Sequence, residues 1–228
     1  MSDAILIVPT CVPYTEDALH ESATLIRQFS SAIHIDIDDG IFTQSLTWPY
    51  SQPGLREKID LSRLSDMRTY MHLMVREPRD LGIECAQAGA AFVIGHIEAF
   101  ADSATANEAL DEWHEAGALT GLAILNDTPL ATLDPIISAC DLVLVMSSMQ
   151  IGEQGAPFES RTIDRVRELS ARYPALTIGI DIGVSDKTIG ELVGAGATIF
   201  SVGSAIMKSS DPSEAYRQLK NLAENALQ

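Results

Sequence analysis

Short runs rich in Val, Ile and Leu alternate along this chain with longer stretches whose apolar positions recur every three or four residues. The short runs predict strands at 5–8, 32–37, 70–75, 92–94, 121–124, 142–145, 177–181 and 199–202. The longer stretches predict helices at 15–29, 78–87, 103–115, 161–172 and 187–193, with a closing helix at 212–227. Nearly every strand is followed by a helical pattern, and no low-complexity tract or linker interrupts the series. In a chain of 228 residues, this predicts a single (β/α)8 barrel, a TIM barrel, with residues 1–228 as one domain. A doubly wound open sheet is the other arrangement that such alternation permits. Eight regular units and the absence of an early Gly-x-Gly-x-x-Gly favour the barrel. Ala88-Gly89-Ala90 and Ala195-Gly196-Ala197 each fall between a helix and a strand, where glycine turns the chain and alanine allows close packing.

In barrels of this kind the chemistry gathers at the C-terminal ends of the strands. His34 and Asp36 lie toward the end of the second predicted strand, His72 in the third, and Asp181 at the end of the seventh. Side chains at i and i+2 share a strand face, so His34 and Asp36 point the same way, as does Asp38 if the strand reaches it. Two imidazoles and two carboxylates make a ligand set for one divalent metal, and carboxylates can also move protons. His96 and Glu98, just past the fourth strand, read as groups behind the ligands or as packing. Asp39-Gly40 reads as turn chemistry.

Composition narrows the function. Hydrophobic residues make up 46% and charged residues 21%, ordinary for a globular protein with a core. The longest apolar runs are of strand length, which predicts no membrane span. The segment at 1–10 has an acidic third residue and no basic region, unlike a secretory signal. Three scattered cysteines, Cys11, Cys85 and Cys140, suggest reduced thiols and a cytoplasmic setting. A net charge of −17 argues against nucleic acid and anionic membranes as partners. A phosphate-bearing substrate must then be held by local dipoles. Only four lysines occur, Lys58, Lys187, Lys208 and Lys220, none in a predicted strand. That counts against a Schiff-base aldolase, and against the decarboxylases of related barrels with their Asp-x-Lys-x-x-Asp string.

Several strings together resemble the ribulose-phosphate 3-epimerase family. They are His34-Ile-Asp-Ile-Asp-Asp-Gly-Ile-Phe42, His72-Leu-Met-Val75, Gly95-His-Ile-Glu98, Gly121-Leu-Ala-Ile124, Leu142-Val-Leu-Val-Met-Ser147, Asp181-Ile-Gly183 and Val202-Gly-Ser-Ala-Ile206. Their order and spacing match from about Val8 to Ile206. The resemblance implies one divalent metal held by His34, Asp36, His72 and Asp181; Zn2+ is the first expectation, and Fe2+, Mn2+ or Co2+ suit the same donors. It implies that Asp36 and Asp181 exchange the C3 proton of D-ribulose 5-phosphate and D-xylulose 5-phosphate through a metal-stabilised enediolate. It gives Thr10, Met74 and Met146 contacts with the sugar. Gly183, Gly203 and Ser204, after the last two strands, fit phosphate binding, with Gly152 and Gly155 as further candidates. Family members form dimers and hexamers, which implies a homo-oligomer.

The substrate shell departs from the family pattern while the ligand set is complete. Where the family has Pro-Gly-Phe-Gly-Gly-Gln after strand six, this chain has Met149-Gln-Ile-Gly-Glu-Gln-Gly-Ala-Pro-Phe158, in which Gly152, Gly155 and Phe158 fit. Within that loop, Glu153 is expected to point to solvent. Asp-Gly-Gly becomes Asp181-Ile182-Gly183, Asn-Pro becomes Leu125-Asn126, and a methionine becomes Asp38. If Asp38 faces the pocket, it raises a neighbouring carboxylate's pKa or takes a hydrogen bond from a substrate hydroxyl. Two alternatives follow: a 3-epimerase for another ketose phosphate such as allulose 6-phosphate, or a non-catalytic sugar-phosphate-binding paralogue.

Overall fold

The computed structural model describes residues 5–152 and 155–227. The expectations for Glu153 and for the start of the N-terminal segment, residues 1–4, fall outside them. Eight parallel strands close into a barrel: β1 (Leu6–Cys11), β2 (Ala32–Asp38), β5 (Arg68–Met74), β6 (Phe92–His96), β7 (Leu119–Ile124), β8 (Leu142–Met146), β9 (Thr177–Asp181) and β10 (Ile199–Val202). Neighbours follow chain order, and β10 closes on β1. A small antiparallel hairpin of β3 (Tyr50–Gln52) and β4 (Leu55–Arg56) is inserted between β2 and β5. The barrel expected from the alternating pattern is thus the observed fold.

The outer helices are α1 (Glu16–Ile26), α2 (Pro78–Gln87), α3 (Ser103–Glu115), α4 (Arg161–Arg172), α5 (Ile189–Ala195), the single turn α6 (Ser204–Met207) and α7 (Pro212–Asn225). Their starts are written in the sequence. The Thr15 hydroxyl accepts from the Ala18 amide at the head of α1, and Glu16 and Asp17 complement the dipole there. Asp102 and Thr105 form a reciprocal capping box on α3. Pro212 follows the Asp211 cap of α7. Two connections carry no α-helix. Between β2 and β5 lie the hairpin and one 3-10 turn, Ser62–Leu64. Between β7 and β8 lie two 3-10 turns, Leu130–Leu133 and Ile137–Ala139. Pro129 and Pro135 stand too close together in that stretch for an α-helix to grow between them.

Strand periodicity sorts the barrel into two cores. Ile33, Ile35 and Ile37 of β2 point outward into the layer shared with the helices, and so do Met71 and Leu73 of β5. Val8, Tyr70, Phe92, Ile94, Leu142, Leu144 and Ile199 fill the barrel itself. Each fully buried aliphatic side chain contributes about 1.5–3 kcal/mol. On β2 the inward positions are therefore Ala32, then His34, Asp36 and Asp38, changing from apolar to polar toward the C-terminal end. Strand β1 runs past Pro9, which pairs with Val202, and so carries Thr10 to the same end. Proline normally ends a strand reading, which is why the run appeared to stop at Val8.

On the outside, Trp113 of α3 is fully buried, and its indole N–H donates to the Arg79 carbonyl at 2.9 Å. A β-carbon at Gly82 of α2 would fall within the indole itself. Gly82→Ala is therefore expected to destabilise the fold by about 1–3 kcal/mol through overpacking. A thermal melt should show a loss of roughly 2–4 °C per kcal/mol; an unchanged melting temperature would mean that the indole is free to shift.

Candidate active site and metal centre

The register of the barrel gathers the four expected ligands. Asp36 on β2 is level with His72 on β5, and Asp181 on β9 is level with Met146 on β8. Because β2, β5 and β9 all lean their C-terminal ends toward one mouth, these inward side chains converge. One ligand atom from each of His34, Asp36, His72 and Asp181 lies within 4.8 Å of the others, and all four residues are buried. His34 Nε2 and His72 Nδ1 each lie 3.0 Å from Asp36 Oδ1, and His72 Nδ1 lies 3.5 Å from Asp181 Oδ2.

Each imidazole is held from behind. His34 Nδ1 is 2.9 Å from the Ser201 hydroxyl, so Nε2 is the nitrogen turned to the carboxylates. His72 Nε2 is 3.0 Å from His96 Nε2, and His96 Nδ1 is 3.3 Å from Glu98 Oε2. Glu98 Oε1 accepts from the Leu125 amide at 2.9 Å and the Thr128 hydroxyl at 2.5 Å.

The two carboxylates are driven in opposite directions. Burial pushes Asp36 up, but the charge and hydrogen bonds of His34 and His72 outweigh it and hold Asp36 well below the usual carboxylate range. Burial and the charge of Asp36 raise Asp181, against the opposing pull of His34 and His72. Burial lowers His34, yet Asp36 and Asp181 raise it overall. Burial lowers His96. For Glu98, burial is outweighed by its bonds to His96, Thr128 and Leu125, and the carboxyl is lowered. Two buried carboxylates and two imidazoles, with one atom each in mutual reach, fit a single divalent cation, which would offset the crowded negative charge.

The other expected site residues line the cavity above this cluster. Thr10, Met74, Met146, Gly152, Gly155, Gly183, Gly203 and Ser204 all face it, together with Asp36 and Asp181. Among the described residues, the buried Thr10 hydroxyl has no hydrogen-bond partner. Ser201 faces the cavity too, and was missed in the sequence. It follows inward-facing Ile199 by two positions on β10, so the period-two pattern carried the signal. Ile182, in the wall beside Gly183, has φ +70°, a left-handed conformation that a β-branched residue rarely adopts. Its amide donates to Asp181 Oδ1 at 2.8 Å, and its carbonyl accepts from Ser147 at 2.5 Å.

Asp38 is fully buried at the next inward position above Asp36. Its Oδ1 accepts from Thr43 at 2.6 Å, and its Oδ2 has no partner among the described residues. Gly152 lies against it: a β-carbon there would come within 2.9 Å of Asp38 Oδ1. The Ser45 hydroxyl donates to the Gly152 carbonyl at 2.5 Å, tying the segment after β2 to the segment after β8.

Residues 7–207 match the family model described as the ribulose-phosphate 3 epimerase family. The ribulose-phosphate 3-epimerase of Schizosaccharomyces pombe is 30% identical over 202 residues, covering 88% of this chain and 86% of the relative. That of Aquifex aeolicus is 30% identical over 206 residues, covering 89% of each. Among solved structures, the 3-hexulose-6-phosphate synthase of Salmonella typhimurium superposes with a TM-score of 0.71, covering 97% of this chain and all of that one. At 16% identity, that likeness speaks for the barrel alone.

Burial pushes Asp38 up to about 7, with the charge of Asp36 adding and the Thr43 bond opposing. An unfolded aspartate titrates near about 4, so ionising Asp38 opposes folding. The penalty is absent below about pH 4, grows toward pH 7 and is fully present above it. In chelator-treated protein, Asp38→Asn should be close to neutral at the acid end and stabilising at about pH 8 by thermal melting. A melting-temperature difference that stays constant across this range would contradict the assignment.

Proposed function

Because the chain belongs to the ribulose-phosphate 3-epimerase family, and so is an isomerase, we propose that it interconverts D-ribulose 5-phosphate and D-xylulose 5-phosphate by proton exchange at C3 between Asp36 and Asp181. The observation that carries the reading is the buried His34, Asp36, His72 and Asp181 cluster at the mouth of the barrel. In this reading the four residues hold one divalent cation, zinc first. When bound, the cation supplies Lewis-acid stabilisation of the negative charge that develops on the ketose oxygens.

The protein's own part is acid–base chemistry. One carboxylate removes the C3 proton on one face, and the C–H electron pair moves toward C2, giving the enediolate. The other, protonated, carboxyl delivers a proton to the opposite face, and the carbonyl re-forms. Strands β2 and β9 are separated by β1 and β10, which supports a reading in which a sugar lies across the mouth with one carboxyl on each side. Gly183, Gly203 and Ser204 border the cavity on the β9–β10 side, where backbone N–H groups would meet the phosphate. Thr10, Met74 and Met146 border the space left for the sugar, with Gly152 and Gly155 above it. A homo-oligomer, a cytoplasmic setting and a one-domain chain complete the reading.

Asp38 favours a second reading, a 3-epimerase for another ketose phosphate such as allulose 6-phosphate. Asp38 is fully buried and does not itself line the cavity, but Gly152, which does, packs against it, so Asp38 bears on the shape of the wall in a way that a methionine would not.

The reaction is tested by incubating zinc-loaded protein with ribulose 5-phosphate in heavy water. Deuterium should enter C3 as xylulose 5-phosphate appears, and Asp181→Asn should abolish both. One bound zinc per chain without exchange on any ketose phosphate would instead favour a binding protein that does not catalyse. Asp38→Met should shift the Gly152 wall and change the ratio of kcat/KM for ribulose 5-phosphate and allulose 6-phosphate by about 10-fold or more; an unmoved ratio would remove Asp38 from substrate selection.

A further inference from the structure

We infer that Glu98 and His96 form a positioning relay that fixes a proton of His72 on Nε2, so that Nδ1, 3.0 Å from Asp36 Oδ1, is the nitrogen left to ligate the metal. The inference rests on the metal reading of the quartet and adds to it a role for two residues outside it.

The relay can be followed from either end. At the outer end, the Leu125 amide can only donate, and it donates to Glu98 Oε1. Thr128 donates to the same oxygen. Glu98 Oε2 therefore faces His96 Nδ1 as an acceptor, and His96 must carry its proton on Nδ1. His96 Nε2 is then a lone pair, 3.0 Å from His72 Nε2, which must be N–H to bond it. At the inner end, a His72 that ligates through Nδ1 is neutral and keeps its one proton on Nε2. Both ends demand the same polarity. With His72 ligating through Nδ1, the reverse arrangement or a doubly protonated His96 sets two N–H groups or two lone pairs against each other somewhere in the row. His72 and His96 are both fully buried, and their rings stack with centroids 5.1 Å apart, so neither ring can turn to escape the conflict. Carboxylate, backbone or water partners behind a ligating histidine commonly set its tautomer; here the carboxylate acts through a second imidazole.

The anchor extends outward. Arg165 of α4 donates to the carbonyls of Leu125 at 3.1 Å and Thr128 at 2.8 Å. It thereby holds the short loop after β7 in the shape that presents both donors to Glu98.

The decisive variant is Glu98→Gln, nearly identical in shape. Its carbonyl stays on the Leu125 amide and Thr128, so its NH2 group faces His96 Nδ1. His96 must then accept there and carry its proton on Nε2, which reverses the row and turns His72 Nδ1 into N–H. His96→Gln is the conservative partner: its amide can donate to Glu98 and accept from His72, keeping the original polarity. Two readouts apply to the full-length protein: ring-nitrogen NMR of 15N-histidine in chelator-treated samples, and Zn2+ affinity by chelator competition. The expected result is His96 protonated on Nδ1 in the unaltered protein and on Nε2 in Glu98→Gln. Zn2+ binding should weaken by about 10–100-fold in Glu98→Gln and by no more than a few-fold in His96→Gln. His96 protonated on Nε2 in the unaltered protein, or Glu98→Gln binding Zn2+ as tightly as it does, would overturn the relay. If the unaltered protein bound no Zn2+ while the tautomer still moved in Glu98→Gln, the metal reading would fall and the proton ordering would stand.

Discussion

Two carboxylates, Asp36 and Asp181, share one buried pocket with two imidazoles inside an otherwise apolar barrel, and an uncompensated pair of charges in such surroundings costs several kcal/mol. The surrounding structure answers that constraint. His34 and His72 lie on Asp36 and keep it ionised, while burial and then the charge of Asp36 raise Asp181. Ser201 stands behind His34, and His96 with Glu98 stands behind His72. The same crowding that would be a liability in a structural core makes a place that a divalent cation fits. It also explains why polar residues begin where they do along β2: below His34 the barrel is filled by Ala32, Tyr70 and Phe92, and above it by groups that need partners.

Much of this was legible in the chain. Alternation of period two along 32–38 put His34, Asp36 and Asp38 on one face, and the structure has all three inward. The bounds of β9, β10, α2, α3 and α4 match the pattern reading, because β-branched runs, Pro78, the Asp102 cap and amphipathic spacing mark their ends. What could not be read depended on tertiary pairing. The β3–β4 hairpin is too short to carry a periodic signal, and the turn α6 is defined by its place after β10. Ser201 carries no motif of its own, and only the inward direction of Ile199, two positions before it, marks it. The row from Leu125 to His72 joins three strand ends and their loops, and no spacing within one segment reveals it.

The segments after β2 and β8 show how the shell above the cluster is coupled. Asp38, Thr43, Ser45 and Gly152 form one contact group, with Thr43 bonded to Asp38 and Ser45 to the Gly152 carbonyl. A side chain on Gly152 would press on both Asp38 and Thr43. The departures from the family pattern at Asp38 and in the loop after β8 are therefore physically joined, and they form one altered patch over the His34, Asp36, His72 and Asp181 cluster.

Ile182 carries a different implication. Its left-handed backbone is easy for glycine and costs a residue with a β-carbon about 1–2 kcal/mol, and its side chain narrows the wall of the cavity beside Gly183. At this one position, relief of backbone strain and a roomier pocket would both follow from glycine. Ile182 therefore ties a narrower cavity to a less stable turn, and one substitution to glycine would loosen both together.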